Sequence, residues 1–150
     1  MTEAPRIVLV ENDYLLRKGA VEELCSLMGG RGVEIVDFGT EHGLRSQLPE
    51  FIKHPPAAFV LGEWFRWADP DMPILPPDDW GRDGYKTAAL RCQQLIHNCS
   101  ELAGTPIIIW SNFDEQWMRE TFGNPPPGNV RYTRKSSDLG ELMRLVQSTI

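Results

Sequence analysis

Short apolar runs alternate with segments of helical spacing along most of the chain. The run at residues 7–10 is apolar and rich in β-branched side chains, which is typical of a strand covered on both faces. In the segment after it, apolar residues recur every three or four positions, which predicts an amphipathic helix. Because the same two patterns follow one another repeatedly, the sequence predicts a series of strand–helix units.

Five strands and five helices are predicted in strict alternation. The strands cover residues 7–10, 33–38, 57–61, 105–110 and 129–133. Apolar spacing predicts helices that begin after residue 13, at residues 41–52 and 85–99, after Asn112 with Glu115 as the partner in a capping box, and near Ser137. The inward positions of the first helix are Leu16, Ala20, Leu24 and Leu27, and those of the last are Leu139, Leu142, Val146 and Ile150.

This alternation indicates an α/β fold with a parallel sheet, right-handed crossovers and helices on both faces. A length of 150 residues suits one domain. Residues 64–84 are rich in proline and aspartate and have neither a helical nor a strand period, so they are predicted to form a long inserted loop.

Composition excludes several classes of function. The net charge is −6 and no basic stripe is present, which argues against a nucleic-acid partner. The sequence has no apolar run long enough to span a membrane and no signal-peptide pattern, so a cytoplasmic location is expected. The three cysteines, Cys25, Cys92 and Cys99, are predicted to be buried free thiols.

Polar side chains follow the predicted strands at their carboxyl ends, where functional groups of parallel sheets gather. They are Glu11 and Asn12 after the first strand, Glu63 after the third, Ser111 after the fourth and Lys135 after the fifth. Oxygen ligands of this kind hold magnesium, while a lysine and a hydroxyl contact phosphate oxygens. The set therefore suits a divalent cation and a phosphoryl group.

Five segments together resemble the receiver domain of bacterial response regulators. They are Val10-Glu11-Asn12-Asp13, Phe59-Val60-Leu61-Gly62-Glu63-Trp64, Thr105-Pro106-Ile107-Ile108-Ile109-Trp110-Ser111, Tyr132-Thr133-Arg134-Lys135 and Asp138-Leu139-Gly140-Glu141-Leu142. The resemblance covers almost the whole chain except the insertion. It implies a flavodoxin-like three-layer sandwich with strand order 2-1-3-4-5.

The resemblance also implies a role for each strand-end residue. Glu63 stands at the position of the family's phosphoacceptor aspartate, and Glu11 and Asn12 stand at its pair of acids. Ser111 and Lys135 match the residues that contact the phosphoryl group. Tyr132 matches the aromatic residue that couples the site to a docking surface, although plain core packing explains a tyrosine there equally well.

Departures from the family pattern indicate altered chemistry. Asn12 supplies no negative charge, and Glu63 is one methylene longer than aspartate. Magnesium held by Glu11, Asn12 and Glu63 is therefore expected to be weak or absent, and no cofactor is required. Ser136 replaces the proline that usually follows the lysine, so the turn there is expected to differ. We expect Glu63 to make permanently the contacts to Lys135 and Ser111 that a phosphate makes transiently.

The expected function is an atypical receiver domain that is not an enzyme. It would relay signals in a two-component phosphorelay by contact with a sensor kinase, another regulator or an effector. Two alternatives stay open. Asp69 has the spacing to Met72 and Pro73 that follows the phosphoacceptor in many receivers, which would make the protein an ordinary phosphorylatable one. A small enzyme or ligand-binding protein could use the same strand-end pocket, with Ser111 serving only as a helix cap.

Overall fold

The apolar runs form a five-stranded sheet, as the computed structural model of residues 5–11, 13–62, 92–112, 115–135 and 139–150 describes it. The strands are β1 (Arg6–Val10), β2 (Glu34–Phe38), β3 (Ala58–Gly62), β4 (Ile107–Ser111) and β5 (Val130–Arg134). The helices are α1 (Tyr14–Met28), α2 (Glu41–Ser46), α3 (Leu48–Lys53), α4 (residues 92–98), α5 (Glu115–Phe122) and α6 (Gly140–Thr149).

All neighbouring strands are parallel, and their order is β2-β1-β3-β4-β5. This order confirms the predicted flavodoxin-like fold. The three central strands are buried along their whole length except for the first residue of β1, which explains why they read as continuous apolar runs. Since all strands run in the same direction, their carboxyl ends meet at one edge of the sheet.

Two apolar clusters cover the two faces of the sheet. One is formed with α1 and α6 and contains Ile7, Leu9, Ala20, Leu24, Met28, Val60, Ile108, Trp110, Leu142, Met143 and Val146. The other is formed with α2 to α5 and contains Val8, Val10, Leu44, Phe51, Phe59, Leu61, Cys92, Ile96, Leu102, Ile107, Ile109, Met118, Phe122 and Val130. The sheet therefore lies between two helical layers, as predicted.

The predicted helix at residues 41–52 is wrong, because this segment forms two short helices. Pro49 has no N–H to donate to the carbonyl of Arg45, so a continuous helix would lose a hydrogen bond there. The chain instead begins a second helix at Gln47, whose carbonyl accepts from Glu50 N at 3.1 Å and Phe51 N at 3.2 Å. Proline is well tolerated in the first turn of this new helix.

Two residues predicted to be buried, Ile150 and Cys25, are exposed. Ile150 is the residue that caps the carboxyl end of α6, and it is 41% exposed. Leu139 caps α6 instead of lying within it, but its side chain packs against the apolar cluster formed with α1 and α6, as predicted. Cys25 is exposed on α1, whereas Cys92 is buried and Cys99 is partly buried. The cysteine on α1 lies between the buried residues Leu24 and Met28 in sequence but on the outer side of the helix.

Several sequence predictions fall outside the described residues. They concern Asn12, Glu63, Asp69, the insertion at residues 64–84, the start of the third predicted helix, Ser136 and the predicted helix start at Ser137. Within the described part of the chain, no helix combines the length and the apolar character that a membrane span requires.

Candidate functional site at the carboxyl ends of the strands

A buried ion pair joins the ends of β1 and β5. Glu11 directly follows β1, and Lys135 directly follows β5. The Lys135 Nζ lies 2.7 Å from the Glu11 Oε2, and the two side chains are only 5% and 2% exposed. At this burial the two charges attract each other strongly, but each has lost its hydration. Removing one partner would therefore leave the other as an uncompensated buried charge and destabilise the fold.

This ion pair spans the carboxyl ends of two other strands. In the order of the sheet, β3 and β4 lie between β1 and β5. Three strand spacings correspond to about 14 Å, so both side chains must reach far from their own strands to meet. A glutamate and a lysine can close this gap, whereas an aspartate at position 11 would be short by one carbon–carbon bond, about 1.5 Å. The length of Glu11 is therefore part of the site.

Gly62, the last residue of β3, provides the space that the Glu11 carboxylate occupies. A Cβ atom built on Gly62 would collide with the Glu11 Oε2 and would lie 2.9 Å from its Cδ. The carboxylate thus rests directly on the backbone of β3. Any side chain at position 62 would push the carboxylate away from the lysine.

Trp110 lies beneath the other half of the pair. It is the register partner of Gly62 in the neighbouring strand β4 and is 1% exposed. The Lys135 Nζ lies 5.1 Å from the centre of the indole ring, within the range of a cation–π contact. The ammonium group is therefore held by a carboxylate on one side and by an aromatic face on another.

Backbone groups of the chain fix the position of Glu11 itself. Its N–H donates to the Phe38 carbonyl at 3.0 Å and so extends the pairing of β1 with β2. The other carboxylate oxygen, Oε1, accepts from the backbone N–H of Asp13 at 3.1 Å. Since each oxygen of the carboxylate has a partner, Oε2 is directed to Lys135 and Oε1 to the turn after β1.

Arg17 contacts the same turn from the first helix. Its Nη1 donates to the Glu11 carbonyl at 2.8 Å, and its Nε lies 3.1 Å from Asp37 Oδ2 on β2. The guanidinium also lies 5.7 Å from the centre of the Tyr14 ring. One side chain of α1 therefore connects the ends of β1 and β2.

Ser111 is fully buried at the end of β4 and is tied to Lys135 through the backbone. The Lys135 N–H donates to the Ser111 carbonyl at 2.5 Å, which extends the pairing of β4 with β5 by one residue. The backbone thus joins Lys135 to Ser111, and the side chain of Lys135 meets that of Glu11, at the ends of β4, β5 and β1. Ser111 is the final residue of its strand and not the first residue after it.

Tyr132 packs against a different apolar cluster from the one that contains Trp110, the aromatic neighbour of Lys135. Its ring contacts the apolar cluster formed with α2 to α5, whereas the ion pair lies above Gly62 and beside Trp110 of the opposite cluster. The Tyr132 hydroxyl donates to the Gly123 carbonyl at 2.8 Å, and its ring lies 6.4 Å from that of Phe122. The aromatic residue is therefore anchored to the end of α5.

Sequence reasoning missed three residues of this site: Gly62, Trp110 and Arg17. A glycine at the end of a buried strand was a usable signal, because it often marks a close approach to the backbone. Nothing comparable marked Trp110, which resembles any core residue of a strand. Arg17 lies on a helix whose other polar residues face solvent, so its return to the strand end required the three-dimensional structure. The predicted contact of Glu63 with Lys135 lies outside the described residues.

Comparison with known proteins identifies the fold. No protein-family model matches the chain, and no curated protein sequence does. Solved structures do match. The chemotaxis response regulator CheY4 of Vibrio cholerae superposes with a TM-score of 0.63 at 11% identity, covering 98% of this chain and 99% of that one. A response regulator receiver protein from Burkholderia phymatum gives 0.63 at 15% identity, covering 97% and 94%.

A third match is the receiver domain of a sensor histidine kinase from Pseudomonas aeruginosa, described with a magnesium ion coordinated in its active site cleft. Its TM-score is 0.58 at 17% identity, and the alignment covers 97% of this chain and 96% of that domain. The fold of the chain is therefore that of receiver domains. Identities this low establish the fold alone.

Removing either charge of the ion pair should destabilise the protein strongly. We expect Glu11→Gln or Lys135→Met to lower the free energy of unfolding by about 3–5 kcal/mol, because each leaves an uncompensated buried charge. The double variant should cost less than Lys135→Met alone, since no charge then remains. Denaturant unfolding measures all three values. As a control, Glu115→Gln breaks the surface pair with Arg119 and should cost at most about 1 kcal/mol. Strict additivity of the two single changes would contradict a direct pair.

A side chain at position 62 should displace Glu11. Gly62→Ala is expected to cost about 1–3 kcal/mol through overpacking, and to cost less when it is made in a Glu11→Asp background, where the shorter side chain no longer meets the added methyl group. Gly19→Ala on α1 is the matched control, because a Cβ there meets no atom within 4 Å and should be neutral or stabilising. Equal effects of the two glycine substitutions in unfolding experiments would refute the close contact.

The anchoring of Tyr132 should appear as a pH dependence of stability. Burial raises the pKa of Tyr132 above its ordinary value, with the nearby Arg119 partly lowering it. The neutral phenol is thus favoured by folding, so its contribution is complete below about pH 10 and is lost as the pH rises further. Tyr132→Phe should abolish this alkaline loss while costing about 1 kcal/mol for the missing hydrogen bond. An unchanged alkaline profile in the variant would contradict this assignment.

Proposed function

We propose that the protein is an atypical receiver domain that relays signals by protein–protein contact and is not phosphorylated in the usual way. The observation that carries this proposal is the buried contact between Glu11 and Lys135. The receiver fold supports a role in two-component-type signalling. A protein of this kind acts as a binding module and not as an enzyme.

The ion pair opposes phosphorylation because it already satisfies the lysine. In receiver domains the matching lysine contacts the phosphoryl group, and here its ammonium is within 2.7 Å of a carboxylate. A phosphoryl group would have to separate the pair and leave Glu11 without its buried cation, at a cost of about 3–5 kcal/mol. That cost favours the state in which Glu11 and Lys135 are paired over the phosphorylated state.

Magnesium is a poor fit to the described residues while this pair is intact. Glu11 is the described member of the expected ligand set, and its oxygens already contact the Asp13 N–H and the Lys135 ammonium. Asn12 and Glu63 lie outside the described residues; by residue type, Asn12 would add an oxygen without charge and Glu63 a second carboxylate, which this proposal pairs with Lys135. We therefore expect the protein to need no cofactor and to bind magnesium weakly or not at all.

Glu63 adds a second negative group to the same site in this proposal. In the sequence it directly follows Gly62, the last residue of β3, and the proposal assigns it to the same site as Glu11 and Lys135. Two carboxylates beside one lysine would hold that lysine in a fixed position without a phosphoryl group. This supports a receiver whose state is set by binding of a partner.

The partner in this proposal is a protein of the cytoplasm: a sensor kinase, another regulator or an effector. A net charge of −6 disfavours nucleic acid. In receiver domains the aromatic residue that matches Tyr132 couples the site to a docking surface. We therefore propose that the partner binds the surface formed by Tyr132 and the end of α5.

Phosphorylation with a small donor tests the proposal. The native protein, incubated with magnesium and acetyl phosphate, should show no mass increase of one phosphoryl group by intact mass spectrometry. Glu63→Asp with Glu11 retained should remain largely unmodified, whereas the triple variant with Glu11→Asp, Asn12→Asp and Glu63→Asp should accept the group. The triple variant thus serves as the positive control for the assay.

Stable phosphorylation of the native protein would overturn the proposal. In that case the Asp69→Asn variant distinguishes Asp69 from Glu63 as the acceptor. If this variant is no longer modified, the protein is an ordinary receiver that uses Asp69. Isothermal titration of the native protein with magnesium gives a second readout, and tight binding would also contradict the closed site.

A further inference from the structure

We propose that Arg17 is the positioning residue of this site, which fixes the turn after β1 and thereby directs the Glu11 carboxylate to Lys135. The inference rests on the ion pair itself and goes beyond the signalling role proposed above. Arg17 contacts the backbone of Glu11 and not its carboxylate, so it acts on Lys135 only through Glu11.

The first step of the argument is the place of Arg17. It lies one turn into α1, and its side chain is 19% exposed. Its Nη1 donates to the Glu11 carbonyl at 2.8 Å while its Nε lies 3.1 Å from Asp37 Oδ2. A guanidinium can make both contacts because its donors point in fixed, different directions. The arginine therefore holds the end of β1 against β2.

The second step is that Glu11, Asp13 and Arg17 are linked to one another by hydrogen bonds. The Asp13 N–H donates to Glu11 Oε1, and the Asp13 Oδ1 accepts from the N–H groups of Leu15 and Leu16 to start α1. The Arg17 N–H donates to the Asp13 carbonyl at 2.8 Å, and its side chain returns to Glu11. A rotation of the Glu11 carbonyl would break the arginine contact and shift the donor that holds Oε1.

The third step is that the neighbouring strands leave room for both charged groups. A Cβ on Gly39, directly after β2, would collide with the Arg17 Nη1 and lie 3.3 Å from its Cζ. Gly62 at the end of β3 accommodates the Glu11 carboxylate in the same way. β2 and β3 are the two neighbours of β1. Glycines on both sides of β1 thus accommodate the arginine and the glutamate that it positions.

The accessibility of the Lys135 amine to an acylating reagent tests this inference. In native protein, Lys135 should react far more slowly than the exposed Lys53, and peptide mass spectrometry gives the ratio of the two rates. Arg17→Met keeps the aliphatic stem but removes the donors. We expect it to raise the Lys135 to Lys53 ratio about tenfold or more, the weight of one hydrogen bond from a charged group.

Two further variants separate positioning from plain stabilisation. Asp37→Asn weakens the ion pair of Arg17 but leaves its bond to the Glu11 carbonyl, so it should lower the unfolding midpoint without changing the labelling ratio. Arg17→Lys can still donate to that carbonyl, so its ratio should lie closer to the native value than that of Arg17→Met. If Arg17→Met does not fold, Arg17→Leu, with Lys53 kept as the reference amine, gives the same comparison at a lower temperature. A ratio above that of both Arg17→Lys and Asp37→Asn supports the inference, whereas an equal ratio overturns it.

An unchanged labelling ratio in Arg17→Met, together with a lower unfolding midpoint, would show that the arginine is only structural. Equal rises in Arg17→Met and Asp37→Asn would also overturn the inference, because general loosening would then explain them. The proposed function fails by a different result, namely phosphorylation of the native protein. Even then, the labelling experiment would still test whether Arg17 positions Glu11 against Lys135.

Discussion

The contact between Glu11 and Lys135 is the constraint on which the site depends. It joins strands that are not neighbours, and its two charges are almost completely shielded from water. A buried pair of this kind contributes little to stability relative to apolar packing, but it strongly penalises any state in which one partner is missing. The pair therefore favours one arrangement of the strand ends over every arrangement that opens the site.

Apolar periodicity predicted the sheet well, because each central strand is buried on both faces and must be apolar throughout. The strand bounds differ by one or two residues, and the order of the strands is as the receiver resemblance implied. The second helix was wrong because Pro49 occurs within an otherwise regular apolar pattern, and the pattern alone does not register the missing N–H donor. The predicted burial of Ile150 was wrong because apolar periodicity does not indicate at which residue the contact of a helix with the sheet ends.

The strand-end residues were predictable as a group, but their pairing was not. Topology brings Glu11, Ser111 and Lys135 to one edge, and the sequence contains that information. Which acid contacts Lys135 depends on side-chain reach over β3 and β4 and on the space left by Gly62, and these are properties of the folded backbone. The shared receiver fold therefore fixes which residues meet at this edge, whereas the reach of Glu11 and the space at Gly62 fix which side chains touch.

A crystal structure of the native protein grown with magnesium and beryllium fluoride, a mimic of the phosphoryl group, tests this account most directly. The account predicts that the carboxylate of Glu11 stays in contact with the Lys135 ammonium and that neither ligand occupies the strand ends. A structure in which Lys135 has left Glu11 and contacts a bound fluoride would contradict it.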